Sequence, residues 1–183
     1  AAGGTLAYTE NGAAAAIRST LTIADSDDTQ IVGATVTISA GFTTGDVLGF
    51  TDQNGITGSY NTGSGVLTLT GTTTVANYQT ALRSVTYRST SDAPTATSAT
   101  RTVTWSVIDA NSDGAGSATS SAVTSTISIT ALNDAPVLAD TVRSLPDIAE
   151  DAAAPTGLVG VAVSTLATGI TDADNGAVQG LAI

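Results

Sequence analysis

Polar and apolar residues alternate with a period of two along much of this chain. Thr35-Val36-Thr37-Ile38-Ser39, Val66-Leu67-Thr68-Leu69-Thr70, Val85-Thr86-Tyr87, Val103-Thr104-Trp105-Ser106-Val107 and Thr126-Ile127-Ser128-Ile129-Thr130 all follow it. Runs of this kind, rich in Thr and Val, predict half-buried antiparallel strands with one solvated face. Turn-forming clusters punctuate them: Asp52-Gln53-Asn54-Gly55, Asn61-Thr62-Gly63-Ser64-Gly65 and Asp92-Ala93-Pro94. One stretch changes period. Thr74 is placed to cap a short helix in which Val75, Tyr78 and Leu82 share a face. The pattern predicts an all-β, Ig-like antiparallel β-sandwich with one short helix, and Trp105 as the anchor between its sheets.

A boundary falls at Asn133-Asp134-Ala135-Pro136, where a strand ends and Val137-Leu138 opens a new extended segment. Pro136 biases Ala135 towards an extended backbone, so the joint reads as stiff. An internal repeat accompanies it. Glu10 is followed by small residues, a strand and Asp25-Ser26-Asp27-Asp28; Glu150 is followed by the same sequence of features and Asp172-Ala173-Asp174-Asn175. The expectation is one sandwich repeat over 1–134 and the beginning of a second over 135–183. The strands that would complete the second lie downstream or come from another chain, and the start at Ala1-Ala2-Gly3-Gly4 reads as an excerpt from a longer protein.

Composition narrows the function. Thr, Ala, Gly and Ser make up more than half of the 183 residues, and there is no Cys, His, Met or Lys. Thiol chemistry, imidazole bases and His/Cys zinc sites are therefore excluded. The net charge is −11, with no basic patch, which argues against nucleic acid and anionic membranes as partners. No apolar run approaches the ~18 residues of a membrane span. What remains is oxygen chemistry: 14 Asp and 2 Glu can serve a hard cation.

Asp109-Ala110-Asn111-Ser112-Asp113-Gly114 matches the opening of a Ca²⁺ loop, with oxygens at alternate positions and a Gly at the sharp turn. Ser120 stands where an EF-hand needs its bidentate Glu, so a helical EF-hand is excluded. A polar hairpin closed by Asx-turns accounts for the same residues. Asp25-x-Asp27-Asp28 and Asp172-x-Asp174 are either exposed turns or cation ligands. Glu10 and Glu150, at matching points of the two repeats, favour ligands. Arg83 and Arg88 read as partners of surface carboxylates, worth about 0–1 kcal/mol each.

These motifs carry a resemblance. Glu10-Asn11, the Asp-x-Asp after the second strand, and Asn133-Asp134-Ala135-Pro136 resemble the Ca²⁺ motifs of cadherin repeats. The run from Asp46-Val47-Leu48 through Asn54-Gly55-Ile56 and Gly65–Leu69 to Tyr78–Tyr87 is similar to bacterial cadherin-like repeats of large secreted adhesins, RTX-type proteins among them. The resemblance implies Ig-like sandwiches in tandem, with Ca²⁺ stiffening the joints. It implies a joint site drawing on Glu10, Asp109, Asn133 and Asp134, together with Asp172 and Asp174 of the following repeat. Asp25 and Asp27 would serve the equivalent joint at the N-terminal end. Affinities of ~10⁻⁴–10⁻³ M, the range of extracellular modules, are implied as well.

A Ca²⁺-stiffened extender of a bacterial cell-surface or secreted adhesin is thus the leading expectation, with neighbouring repeats as its partners. Two alternatives stand beside it. One is a filament subunit that completes its neighbour by strand donation. The other is a sandwich that itself binds a glycan or protein, for which no aromatic cluster speaks. Catalysis is not expected, because no base or nucleophile with a partner can be picked out.

Overall fold

The computed structural model describes residues 4–111, 114, 116–139, 147, 149–151, 153, 154, 156 and 168–178. The chain divides into two compact units, residues 1–132 and 133–183. Asp113 and the segment 157–167 lie outside the described residues.

Among its described residues, the first unit holds nine strands and one helix: β1 (Thr5–Thr9), β2 (Ala15–Ala16), β3 (Gln30–Ala40), β4 (Asp46–Gly49), β5 (Thr57–Asn61), β6 (Val66–Thr74), α1 (Val75–Arg83), β7 (Thr86–Ser89), β8 (Thr100–Asp109) and β9 (Val123–Thr130). They form a six-stranded sheet, β1-β9-β8-β3-β6-β5, and a three-stranded one, β2-β7-β4. All pairings are antiparallel except β1 with β9, which runs parallel from Thr5↔Thr126 to Thr9↔Thr130. The result is the all-β sandwich that the alternating pattern predicts, with the larger sheet supplying most of the core.

Alternation decides which face is dry. Val36 and Ile38 of β3, Leu67 and Leu69 of β6, Val103 and Trp105 of β8, and Ile127 and Ile129 of β9 are buried, while the intervening Thr and Ser line the outer face. β3 changes parity once. Its register slips between Ile31 and Gly33, so Ile31 and Ala34 both point inward around an extra residue, Val32. Leu48 and Tyr87 of the smaller sheet close the core from the other side. The Trp105 indole donates to Ser125 Oγ at 3.1 Å, satisfying its one polar atom in the interior.

The helix begins where the sequence places it. Thr74 Oγ1 accepts the Asn77 N–H at 3.2 Å, and Tyr78, Ala81 and Leu82 face the core. Asn54 and Gly55, at φ 54° and 76°, make the two-residue turn that pairs Gln53 with Ile56. Both residues need a left-handed backbone there, which Asn and Gly adopt most readily.

Among its described residues, the second unit forms one short antiparallel ladder, β10 (Val137–Leu138) on β11 (Ile170–Thr171).

Candidate cation-binding site

Strand β1 delivers Glu10 to the end of the large sheet. Parallel pairing carries the Glu10 N–H to Thr130 O at 2.9 Å, and the side chain then turns back across the strand ends. Its Oε2 accepts the Leu132 N–H at 2.8 Å. The other oxygen, Oε1, is buried with no hydrogen-bond partner, on a residue only 1 % exposed. A carboxylate oxygen out of water without a donor is costly.

Asp109 sits elsewhere. It ends β8, its N–H reaches Ala118 O, and Ala118 leads into β9. From Ala118 to Thr130 the chain is largely extended, and at about 3.3 Å per residue this puts on the order of 35 Å between Asp109 and Glu10. One ion cannot use both, which corrects the joint site implied by the resemblance. The physical reason is the parallel β1–β9 pairing: it sends Glu10 to the far end of β9, whereas Asp109 stays at the β8–β9 turn.

Asp109 instead faces the Asp25–Asp28 turn. Asp25, Asp27, Asp28 and Asp109 line one cleft of about 290 Å³, so residues assigned to opposite joints share one end of the first unit. Asp25 Oδ1 accepts the N–H of Asp28 at 3.1 Å and of Asp27 at 3.4 Å. The Asp28 N–H, followed by the Asp27 side chain, holds the Asp25 carboxyl below the usual carboxylate range. Hydrogen bonding with Asp25 pushes the Asp27 carboxyl up, so Asp27 keeps its proton longer. Such a pair is the signature of two carboxyls competing for one charge.

The loop after Asp109 is closed by its own side chains. Both Asp109 oxygens accept the Ala118 N–H, at 3.0 and 2.8 Å, and Oδ1 also accepts that of Asn111. Asn111, at φ 53°, accepts the Gly116 N–H. Asp109 and Asn111 thus do what Asx-turns do, and their oxygens are spent on backbone. Asp113, the third candidate of this loop, is outside the described residues.

In the second unit, the Asn133 side chain donates to Asp134 O at 2.7 Å. The Asp134 N–H donates to Asp174 Oδ2 at 2.6 Å, and the Asp174 N–H to Asp172 Oδ1 at 3.0 Å. Glu150 lies exposed in a turn. Among the described residues, no three carboxylates are grouped so as to hold a metal ion as they stand.

Two charged residues that sequence reasoning missed form a buried ion pair. Arg101 Nε donates to Asp46 Oδ2 at 2.6 Å, with both side chains fully buried. Nothing local signals this pair, because its members lie 55 residues apart. Arg83 also departs from expectation: its Nε donates to the Leu21 carbonyl at 2.6 Å. Neither Arg83 nor Arg88 makes an ion pair among the described residues.

The first unit is thus an all-β sandwich with carboxylates gathered at its ends. The chain is 41 % identical over 92 residues to halomucin of Haloquadratum walsbyi (strain DSM 16790 / HBSQ001), covering 47 % of this chain and 1 % of that one. The match is therefore to about one hundredth of a very long protein. No protein-family description matches the chain, and no solved structure matches it. No helix among the described residues is long and apolar enough to cross a membrane.

Proposed function

We propose that this chain is a non-catalytic extender of a very long cell-surface or secreted protein, stiffened by Ca²⁺ held at the ends of its repeats. The observation that carries the reading is the likeness to one hundredth of halomucin, the relation expected of one module among many in a long chain. The carboxylate placement supports it. Asp25 and Asp27 line a cleft at one end of a sandwich, and Glu10 brings an unsatisfied oxygen to the other. In both Asp25–Asp27 and Asp172–Asp174 the first Asp side chain accepts the N–H of the second, which fits one motif used twice. Extracellular localisation and neighbouring repeats as partners follow from this reading.

Calorimetric titration of Ca²⁺ into the wild type and Asp134→Ala, with melting in Ca²⁺ and in excess chelator, tests it. Binding in the wild type, weakened in the variant, together with a higher Tm in Ca²⁺, is expected. Identical melting curves in Ca²⁺ and chelator would remove the cation from the proposal.

A further inference from the structure

An edge strand offers its outward N–H and C=O groups to any strand that comes alongside. The large sheet ends at β1 on one side and at β5 on the other. β5 has the makings of a good template. Thr57, Gly58 and Ser59 are exposed, and the strand holds no Pro, Lys or Arg. Nor does a bulge turn it away, since its register with β6 runs unbroken from Thr57↔Thr70 to Asn61↔Val66.

One residue outside the strand alters this edge. The turn that pairs Gln53 with Ile56 folds the chain back, so that Asp52 lies beside the start of β5. There Asp52 Oδ1 accepts the Gly58 N–H at 2.9 Å. A strand residue turns its N–H and C=O to one side, and the next residue turns its own to the other. Because Gly58 donates to Asp52 rather than to β6, the outward row of β5 belongs to Gly58 and Tyr60. Thr57, Ser59 and Asn61 bond β6. Asp52 has taken the first donor of the outward row, and two residues on, at Tyr60, the edge is open.

The neighbouring edge of the smaller sheet is covered in a related way. β4 ends that sheet, and the Tyr60 hydroxyl donates to Asp46 O at 2.8 Å. Side chains therefore stand in for strand backbone on both β4 and β5. The two caps differ in charge. The phenol is neutral, whereas Asp52 sets an exposed carboxylate where an incoming strand would bring a carbonyl oxygen.

A second copy of the chain is the partner this edge fits, because the pairing closes on itself. In a two-fold antiparallel arrangement centred on Ser59, Gly58 of each copy stands opposite Tyr60 of the other, and the two exchange both bonds. With Asp52 in place, that pairing must strip the Gly58 N–H from a carboxylate. It also leaves one carboxylate from each copy in the seam, in a chain that already carries −11.

We propose that Asp52 guards the β5 edge, keeping the large sheet of one copy from pairing with that of another. The inference rests neither on calcium nor on the tandem repeat. Strand addition, the alternative route to a filament, is refused at this edge by one side chain.

The test compares the full chain with Asp52→Ala and Asp52→Asn, and with Asp92→Ala, which removes an exposed acidic residue elsewhere. Sedimentation velocity and amide hydrogen exchange are followed over rising protein concentration in excess chelator. The wild type and Asp92→Ala are expected to show exchange at Tyr60 that does not change with concentration. Asp52→Ala is expected to associate, with Tyr60 exchange slowing at least tenfold from the dilute to the concentrated sample. Asp52→Asn, which keeps an oxygen for Gly58 but not the charge, should do the same more weakly. Concentration-independent exchange at Tyr60 in both Asp52 variants overturns the proposal, and so does equal association of Asp92→Ala. Association of Asp52→Ala without protection of Tyr60 overturns the choice of β5 as the surface.

Discussion

Asp46 and Arg101 place opposite charges in a fully dry interior, and the cost of doing so is met by a complete set of partners. Asp46 accepts from Arg101, from the Tyr87 hydroxyl at 2.6 Å and from the Thr43 N–H at 2.9 Å. Arg101 directs its other nitrogens to the carbonyls of Pro94 and Ser98, each at 2.6 Å. Truncating one partner leaves the other charge buried and alone, which costs about 3–5 kcal/mol. Asp46→Ala should lose this much in urea unfolding, and a loss under about 1 kcal/mol would show the network to be dispensable. Tyr87 makes a second prediction. Burial, then the bond to Asp46, pushes its phenol far above the ordinary 10.0, and burial raises Tyr60 and Tyr78 in the same direction. The folded protein therefore keeps protons that the unfolded chain gives up above pH 10, so stability is intact below that pH and falls as it rises. Tyrosinate absorbance should show these three phenols ionising together with unfolding; their titration near pH 10 in the folded state would contradict it.

At the scale of elements, the short-range signals are strong because they are local. The Thr74 cap needs only the Asn77 N–H three residues on, and the alternation in β3, β6, β8 and β9 needs only one dry face. Replacing Thr74 by Ala removes the bond to the first turn and should cost about 1 kcal/mol by denaturant melting, with α1 fraying first in hydrogen exchange. An unchanged midpoint would assign the helix wholly to its packing. What the sequence does not disclose depends on which strands lie side by side. Parity is legible in a strand, but the parallel β1–β9 pairing is not, and that pairing alone decides that Glu10 and Asp109 sit at opposite ends. The partnership of Asp46 with Arg101 is hidden for the same reason. The Asp109 loop shows a third kind of ambiguity, since one spacing of oxygens suits a cation and the loop's own N–H groups alike, and here the backbone has claimed them.

Across the whole molecule, 16 acidic residues against 5 basic ones leave a charge that opposes compaction. Among the described residues, the fold takes inside only Glu10, Asp28 and the matched Asp46. Cations at the ends of the sandwich would relieve repulsion there, which ties the proposed stiffening to the composition. The β1–β9 ladder has a mechanical side. These strands run parallel and are the first and last of the sandwich, so tension applied through its two ends drags them past each other lengthwise. All the evenly spaced bonds of the ladder are then loaded at once in shear, whereas the β5–β6 hairpin, pulled at its open end, would unzip bond by bond. A single repeat held between Thr5 and Thr130 in a force spectrometer should therefore rupture at markedly higher force than one held between Thr57 and Thr70, and equal forces would show that the ladder bears no special load. A chain built from such units would resist being drawn out by flow or by a moving surface.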